Sequence, residues 1–372
     1  METRLRIGRK FVLLLGFILI LQIASSGITQ NNVSSPMFLV SMQEAEGHAE
    51  GISLSAATST PPTIDGIMGE SEWNNADNRD FVLQNGDPEI DGYDSVRYID
   101  STLYIINDHR NLYIALRTND STLTEKGAYI YFDDDHDGFR ESGEDVLAFW
   151  GGIYGPDWSV LPPVKEDQYG MAPDHPDDDG TQDGSAAMAS DGVFNYFEFS
   201  HPLCSLDIDH DFCLSEGDTV GFSFKYFSKP WGYDFQIYRG SAIEAPSTWG
   251  DIIIAPSSGV EDVTIDIQPR SSDNTVDCDS LKGKVKVGIL TDGDFDAQTV
   301  DVSTLDLEGI EANKINFKDL DHDGDTDALV KFKKSYICEL TNSLSTDSIS
   351  FRLYGQTADG GQFVGTDSIR IE

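Results

Sequence analysis

The stretch Tyr131-Phe-Asp-Asp-Asp-His-Asp-Gly-Phe-Arg-Glu-Ser-Gly-Glu144 alternates carboxylates at Asp133, Asp135 and Asp137. Gly138 follows, and Glu144 closes the register after five intervening residues. This is the D-x-D-x-D-G-x5-E spacing of a loop that wraps Ca2+. A hard cation takes six to eight oxygens, and alternating side chains on a tight turn can all point inward. Gly138 permits the sharp turn. Asp145 directly follows Glu144, so either can be the closing ligand.

A shorter version runs Asp319-Leu-Asp-His-Asp-Gly-Asp-Thr-Asp327. Its expected ligands are Asp319, Asp321, Asp323 and Asp327, with the Asp325 carbonyl. Position twelve would be Val330, which has no ligating side chain, so a nine-residue calcium loop is expected. Carboxylates this close repel unless a cation compensates them. Two bound Ca2+ ions are therefore the expected cofactors. Residues 166–192 form a third acidic stretch, read first as a solvated charge run and second as a further cation site.

Other chemistry is sparse. No Gly-x-Ser-x-Gly, His-Glu-x-x-His or phosphate loop is visible. Among 65 acids no catalytic carboxylate pair can be singled out. A non-enzymatic protein is expected. Cys204, Cys213, Cys278 and Cys338 lie in no CxxC or Cys/His cluster, which argues against zinc held by cysteine. Pairs Cys204–Cys213 and Cys278–Cys338 are preferred, because each then stays within one half of the chain.

The elements that must position these residues read as β-strands. Leu103–Ile106 and Leu112–Arg117 alternate with period two around the turn Asp108-His-Arg-Asn111, predicting a hairpin. Further strands are expected at 128–132, 145–150, 193–199, 220–227 and 252–255, with one helical turn at 70–74. After the linker Pro256-Ser-Ser-Gly259, strands are expected at 263–267, 285–290, 300–307, 328–332, 349–353 and 368–371. Many short strands separated by turn signals predict an all-β chain of two β-sandwich domains.

Thr63-Ile-Asp-Gly66 with Glu72-Trp73, Asn111-Leu-Tyr-Ile-Ala115, Tyr131-Phe-Asp-Asp-Asp135, Phe197-Glu-Phe-Ser-His-Pro-Leu203, Gly217-Asp-Thr-Val-Gly-Phe222 and Trp249-Gly-Asp-Ile-Ile253 occur in this order. The series resembles family 9 carbohydrate-binding modules and their relatives. The resemblance implies a sandwich with structural calcium and a sugar site built from facing aromatic rings. Sugars stack their apolar C–H faces on flat rings. Candidates are Trp150, Trp158, Trp231 and Tyr233, with Tyr154 nearby. Packing is the competing role, most clearly for Trp150 at the end of an apolar strand. Trp73 and Trp249 are expected in the core. Because related sandwiches can hold haem, His109, His201, Met171 and Met188 are noted as axial candidates, with no spacing that selects a pair. In the second half, Val263-Thr-Ile-Asp-Ile-Gln-Pro269, Gly288-Ile-Leu290 with Asp294-Phe-Asp296 after it, and Asp319-Leu-Asp-His-Asp-Gly324 resemble an accessory domain of secreted bacterial and archaeal proteins, and this half is read as a small immunoglobulin-like sandwich.

Arg4, Arg6, Arg9 and Lys10 precede the apolar run 11–23 and a small-residue exit. This pattern predicts a secretory signal peptide over 1–26. A flexible tether is expected over 27–58, the first sandwich over 59–256 and the calcium-loop sandwich over 259–372. The sequons at Asn32 and Asn119 fit an exported chain. The formal net charge is −40, and losing the four bases and one acid of residues 1–26 takes it to −43. Such acidity argues against nucleic acid or anionic membrane as a partner. It fits either bound cations or adaptation to salt. The expected function is a secreted or cell-surface, calcium-stabilised binder of polysaccharide, with no membrane span in the mature form. The alternative is a structural or adhesion protein of the cell surface, such as a surface-layer component with protein partners. Haem binding ranks third.

Overall fold

The computed structural model describes residues 52–58, 60–69, 71–85, 98–120, 126–138, 144–154, 159–169, 177–178, 183–205, 211–228, 233–236, 249–257, 259–271, 273–293, 295–341 and 348–371. Of residues 84–85, 150–154, 159–169, 177–178, 227 and 233–236 only the backbone is described. The expected signal peptide and most of the tether lie outside these residues. No helix among the described residues is long and apolar enough to cross a membrane.

The chain is all-β. The first half contains β1 (Ser53–Leu54), β2 (Asp77–Asn85), β3 (Tyr98–Asn107), β4 (Asn111–Thr118), β5 (Lys126–Asp133), β6 (Asp145–Tyr154), β7 (Ser159–Tyr169), β8 (Asp177–Asp178), β9 (Ser185–Ser190), β10 (Asn195–Pro202), β11 (Thr219–Ser228), β12 (Tyr233–Gln236) and β13 (Gly250–Ile253). One hydrogen-bonded path runs β8-β7-β6-β5-β11-β12-β2-β3-β4-β10-β9, with β13 on β11 and β1 on β13. The path folds over on itself. Ile99, Leu103 and Ile105 of β3 and Leu112, Ile114 and Leu116 of β4 share one core with Ile130 and Phe132 of β5 and Phe222 and Phe224 of β11. Burying Phe222 or Phe224 contributes roughly 2 kcal/mol each. Two layers therefore face each other, and short β12 pairs with β11 on one side and β2 on the other. The two ends of the path meet where β6 and β7 come against β9.

The predicted hairpin is β3–β4, with Asn107 opposite Leu112. Its turn is fixed by Asp108, whose Oδ1 accepts the N–H groups of Arg110 and Asn111, both at 2.7 Å. The expected helical turn at 70–74 forms only turns and bends over its described residues. In the acidic stretch 166–192, β7 continues to Tyr169, Asp177–Asp178 forms β8 and Ser185–Ser190 forms β9. The latter is drawn into the sheet by pairing with β10.

The second half contains β14 (Val260–Asp262), β15 (Ile265–Ile267), β16 (Thr275–Val276), β17 (Lys284–Ile289), β18 (Val300–Leu307), β19 (Ile310–Glu311), β20 (Lys314–Lys318), β21 (Asp327–Lys333), helix α1 (Lys334–Thr341), β22 (Ile349–Thr357) and β23 (Gln362–Ile371). The sheet β14-β23-β22-β18-β19, with β16 also on β23, faces the sheet β15-β17-β21-β20. Between them lie Val285, Val287, Val330, Phe332, Phe351, Leu353 and Phe363. The disulfides are Cys204–Cys213 and Cys278–Cys338. The second ties the segment after β16 to α1.

The two halves touch through side chains. Arg110 lies 4.2 Å over the Tyr354 ring and 3.3 Å from the Asp306 carboxylate. The Asn107 amide exchanges two 2.9 Å hydrogen bonds with the Ala255 backbone at the start of the linker.

Candidate functional site

The first acidic loop connects β5 to β6, so strands flank it rather than helices. Asp133 ends β5 and is fully buried. Its carboxylate accepts the N–H of Asp137 at 3.1 Å and of Gly138 at 2.9 Å, curling the loop around itself. His136 at φ 55° and Gly138 at φ 79° make the turn. One carboxylate oxygen each from Asp133, Asp135 and Asp137 lies within 4.8 Å of the others. Burial pushes the Asp134 carboxyl up to about 7; Asp133 and Asp135 add to the push, and the Asp145 N–H opposes it. An oxygen-only set on a preorganised turn suits a hard divalent cation, and these residues fit one. Glu144 is buried at the end of the loop.

The second loop connects β20 to β21 and is built the same way. Asp319 accepts the N–H of His322 at 2.6 Å, Asp321 that of Asp323 at 3.2 Å, and Asp323 that of Asp325 at 2.8 Å. Buried Asp327 accepts from Thr291 at 2.9 Å and Leu320 at 2.7 Å, locking the loop to the sheet. Oxygens of Asp319, Asp321 and Asp327 converge within 4.8 Å. The carboxylates of Asp323 and Asp325 are outside that group.

A third convergence was not legible in the sequence. Asp145 heads β6, but its carboxylate groups with His201 of β10 and Asp211, all three buried. His201 is thereby placed between two carboxylates. His109 lies over the Tyr354 ring at 5.5 Å instead. These are the surroundings of the two histidines noted as haem candidates. Met188 packs against the first core, and Met171 lies outside the described residues.

Of the aromatic candidates, Trp158 and Trp231 lie outside the described residues. Trp150 and Tyr154 fall in β6 and Tyr233 in β12, described as backbone only. Trp73 and Trp249 are buried, as expected. Another surface on the first sandwich has the makings of a sugar site. On the solvent face of β2, β3 and β4 a groove of about 390 Å³ is lined by Asp80, Val82, Asp100, Thr102, Arg117 and Phe194, among others. Arg117 donates to Thr102 Oγ1 at 2.9 Å, and Thr102 donates to Asp80 at 2.8 Å. The Arg117 guanidinium lies 5.2 Å over Phe194 and 5.8 Å over Tyr104, so packing and hydrogen bonding both fix its plane. Val82, which also lines the groove, is 54% exposed.

Over part of its length the chain is similar to family 9 carbohydrate-binding modules. One such module from Caldicellulosiruptor kristjanssonii, solved with cellotriose, is 14% identical, with 55% of this chain and 95% of the module covered at a TM-score of 0.37. The same kind of module from that organism, solved with glucose, gives 15% identity, 56% and 98% coverage and a TM-score of 0.36. No family profile matches the sequence, and no curated protein does.

Proposed function

We propose that this protein is a non-catalytic, calcium-stabilised binder of polysaccharide that works outside the cytoplasm. The observation that carries the reading is the groove on the first sandwich. It sets a hydrogen-bonded row of Asp80, Thr102 and Arg117 beside exposed Val82 and partly exposed Phe194. Vicinal hydroxyls need such paired donors and acceptors, and the C–H face of a sugar needs the apolar partner. The ordered motifs of the sequence support the same reading. The aromatics Trp150, Trp158, Trp231 and Tyr233 are the sequence's other candidates for contact with sugar.

The two acidic loops are read as Ca2+ sites, with Asp133, Asp135, Asp137 and Glu144 in the first and Asp319, Asp321 and Asp327 in the second. Residues 1–26 are read as a cleaved signal peptide, so protein recovered from the medium should begin near residue 27.

Affinity electrophoresis through gels containing soluble cellulose derivatives, xylan and mixed-linkage glucan tests the main reading. At least one gel should retard the protein, without release of reducing sugar. Arg117→Ala should abolish retardation if the groove binds, and Trp158→Ala or Trp231→Ala if the loop aromatics do. Free migration in every glycan, with no binding to insoluble polysaccharide, would discard the proposal.

A further inference from the structure

The structure assigns a binding surface for an acidic polysaccharide to the outer face of the sheet β15-β17-β21-β20. Lys284 of β17 is opposite Lys333 of β21, and Lys286 is opposite Lys331. Lys331 is in turn opposite Lys314 of β20. Directly opposed residues project to the same side of a sheet. Lys286, Lys331 and Lys314 therefore form a row across three strands, with Lys284 and Lys333 in the next row. The intervening Val285, Val287, Val330 and Phe332 point the other way, into the core. Lys284, Lys286, Lys314 and Lys333 are exposed, and Lys331 is half-buried between them.

Like charges set directly opposite one another cost stability, and the ordinary reasons for such a face do not account for it. Lysines blunt an edge strand against stray pairing, but β17 and β21 are both interior to their sheet. The chain has 65 acids against 25 Lys and Arg, so a solvated face drawn from that composition would carry acids among its bases. No acid interrupts either row. Among the described residues none of the five lysines makes an ion pair.

The residue types select the partner. Lys is a mobile point charge, suited to a series of carboxylates or sulfates along a polymer rather than to the forked grip that Arg gives one anion. Tyr336 supplies an apolar rim: it is 44% exposed, with Lys333 Nζ 4.6 Å from its ring centroid, and can take the C–H face of a sugar. The acidic turn 319–327 joins the far ends of β20 and β21. Lys314 is four residues from Lys318, about 14 Å along the strand, which exceeds the screening length of about 8 Å in physiological salt. A thin chain laid across the strands meets the lysines alone. A membrane plane or a nucleic-acid duplex would also meet the acidic turn, and net charge this far from zero keeps second copies of the chain apart. The surface lies on the second sandwich and does not depend on the groove of the first.

Binding of the full-length protein to immobilised polygalacturonate and to chondroitin sulfate, with calcium present, tests the assignment. The wild type should bind at least one of them in about 50 mM salt and release it in about 500 mM. The variant Lys286→Gln with Lys314→Gln and Lys331→Gln should bind at least about tenfold more weakly. It should melt no lower than the wild type, since the opposed charges are gone. Arg at the same three positions should keep the binding. Lys284→Gln with Lys333→Gln should also weaken it, which keeps the test decisive if the triple variant does not fold. Migration in neutral-glycan gels reads the groove separately, so either surface can fail without the other. No binding to either acidic polymer in low salt, or folded Gln variants that bind like wild type, would overturn the assignment. So would tighter binding to single-stranded DNA than to both polymers, or lysine-dependent self-association in place of polymer binding.

Discussion

The indole N–H of Trp73 donates to Oε1 of Glu198 at 2.9 Å, joining the N-terminal segment to the middle of β10. The other oxygen, Oε2, accepts the N–H of Gly66 at 2.7 Å and of Asp65 at 3.1 Å. Glu198 is fully buried, and burial pushes its carboxyl up while these three donors pull it down. Glu198→Gln sets an amide N–H against a donor and should cost about 2–3 kcal/mol. Trp73→Phe removes one donor and leaves a buried oxygen short, for about 1–2 kcal/mol. Urea titration of each variant measures both.

Gly66 should tolerate nothing larger. It sits at φ +82°, and a Cβ there would lie 2.5 Å from the Met188 carbonyl carbon and 2.7 Å from the Ala189 nitrogen. Both neighbours are backbone of β9 and cannot rotate away. Gly66→Ala should cost more than about 3 kcal/mol, from backbone strain and overpacking together. Hydrogen exchange should localise the loss to β9 and β10.

Glu308 makes stability depend on pH. It occupies the turn between β18 and β19 at φ 45°, and its Oε1 accepts the Arg352 N–H at 2.6 Å. Burial pushes its carboxyl from 4.5 up to about 7, against the pull of Arg352 and Arg110. A raised carboxyl favours the folded state below the unfolded value, and that stabilisation is lost as pH rises through the folded one. Wild-type stability should fall between about pH 4.5 and 7 by roughly 1–3 kcal/mol from this group, since partial exposure screens it. Glu308→Gln should flatten that part of the profile in pH-resolved denaturant titrations.

Removing calcium should lower the melting temperature. At ten- to a hundredfold excess over its dissociation constant, each loop contributes about 1.4–2.7 kcal/mol. Chelation should therefore shift the midpoint by about 3–10 °C. The variant Asp135→Asn with Asp321→Asn alters only exposed carboxylates. It should melt like chelated wild type and no longer respond to chelator. An equal response in both would remove calcium from the account.

The disulfides should differ in worth. Cys278–Cys338 closes a separation of 60 residues and Cys204–Cys213 one of 9. In the chain-entropy view the first contributes about 4 kcal/mol and the second about 3. Paired Cys→Ser variants, compared in urea, should rank in that order.

The sequence announced what depends on local spacing. The Asp133 and Asp319 loops, the turn at Asp108 and the alternation of β3 and β4 are each written within a few neighbouring residues. The within-half cysteine pairing also matched the structure. Helix α1 escaped notice because Lys334–Thr341 is too short to display a helical period. Strand β9 is Ser-Ala-Ala-Met-Ala-Ser, without a β-branched residue, and only its partner β10 makes it a strand. The group Asp145, His201 and Asp211 has no sequence pattern at all. Adjacency offered Asp145, with Glu144, as a closing residue of the neighbouring loop, and its carboxylate also groups with His201 and Asp211.

β23 runs antiparallel to β22 and parallel to both β14 and β16, so residues 362–371 lie inside their sheet rather than at its rim. The half that begins at Val260 therefore cannot close until residue 371 has emerged from the ribosome. The earlier sandwich has all its strands by Ile253 and is free to assemble while translation continues. During synthesis the leading half can therefore already be compact while the trailing half is still incomplete. A chain stalled before residue 362 would expose the apolar face of β22 to whatever chaperone or protease meets it first.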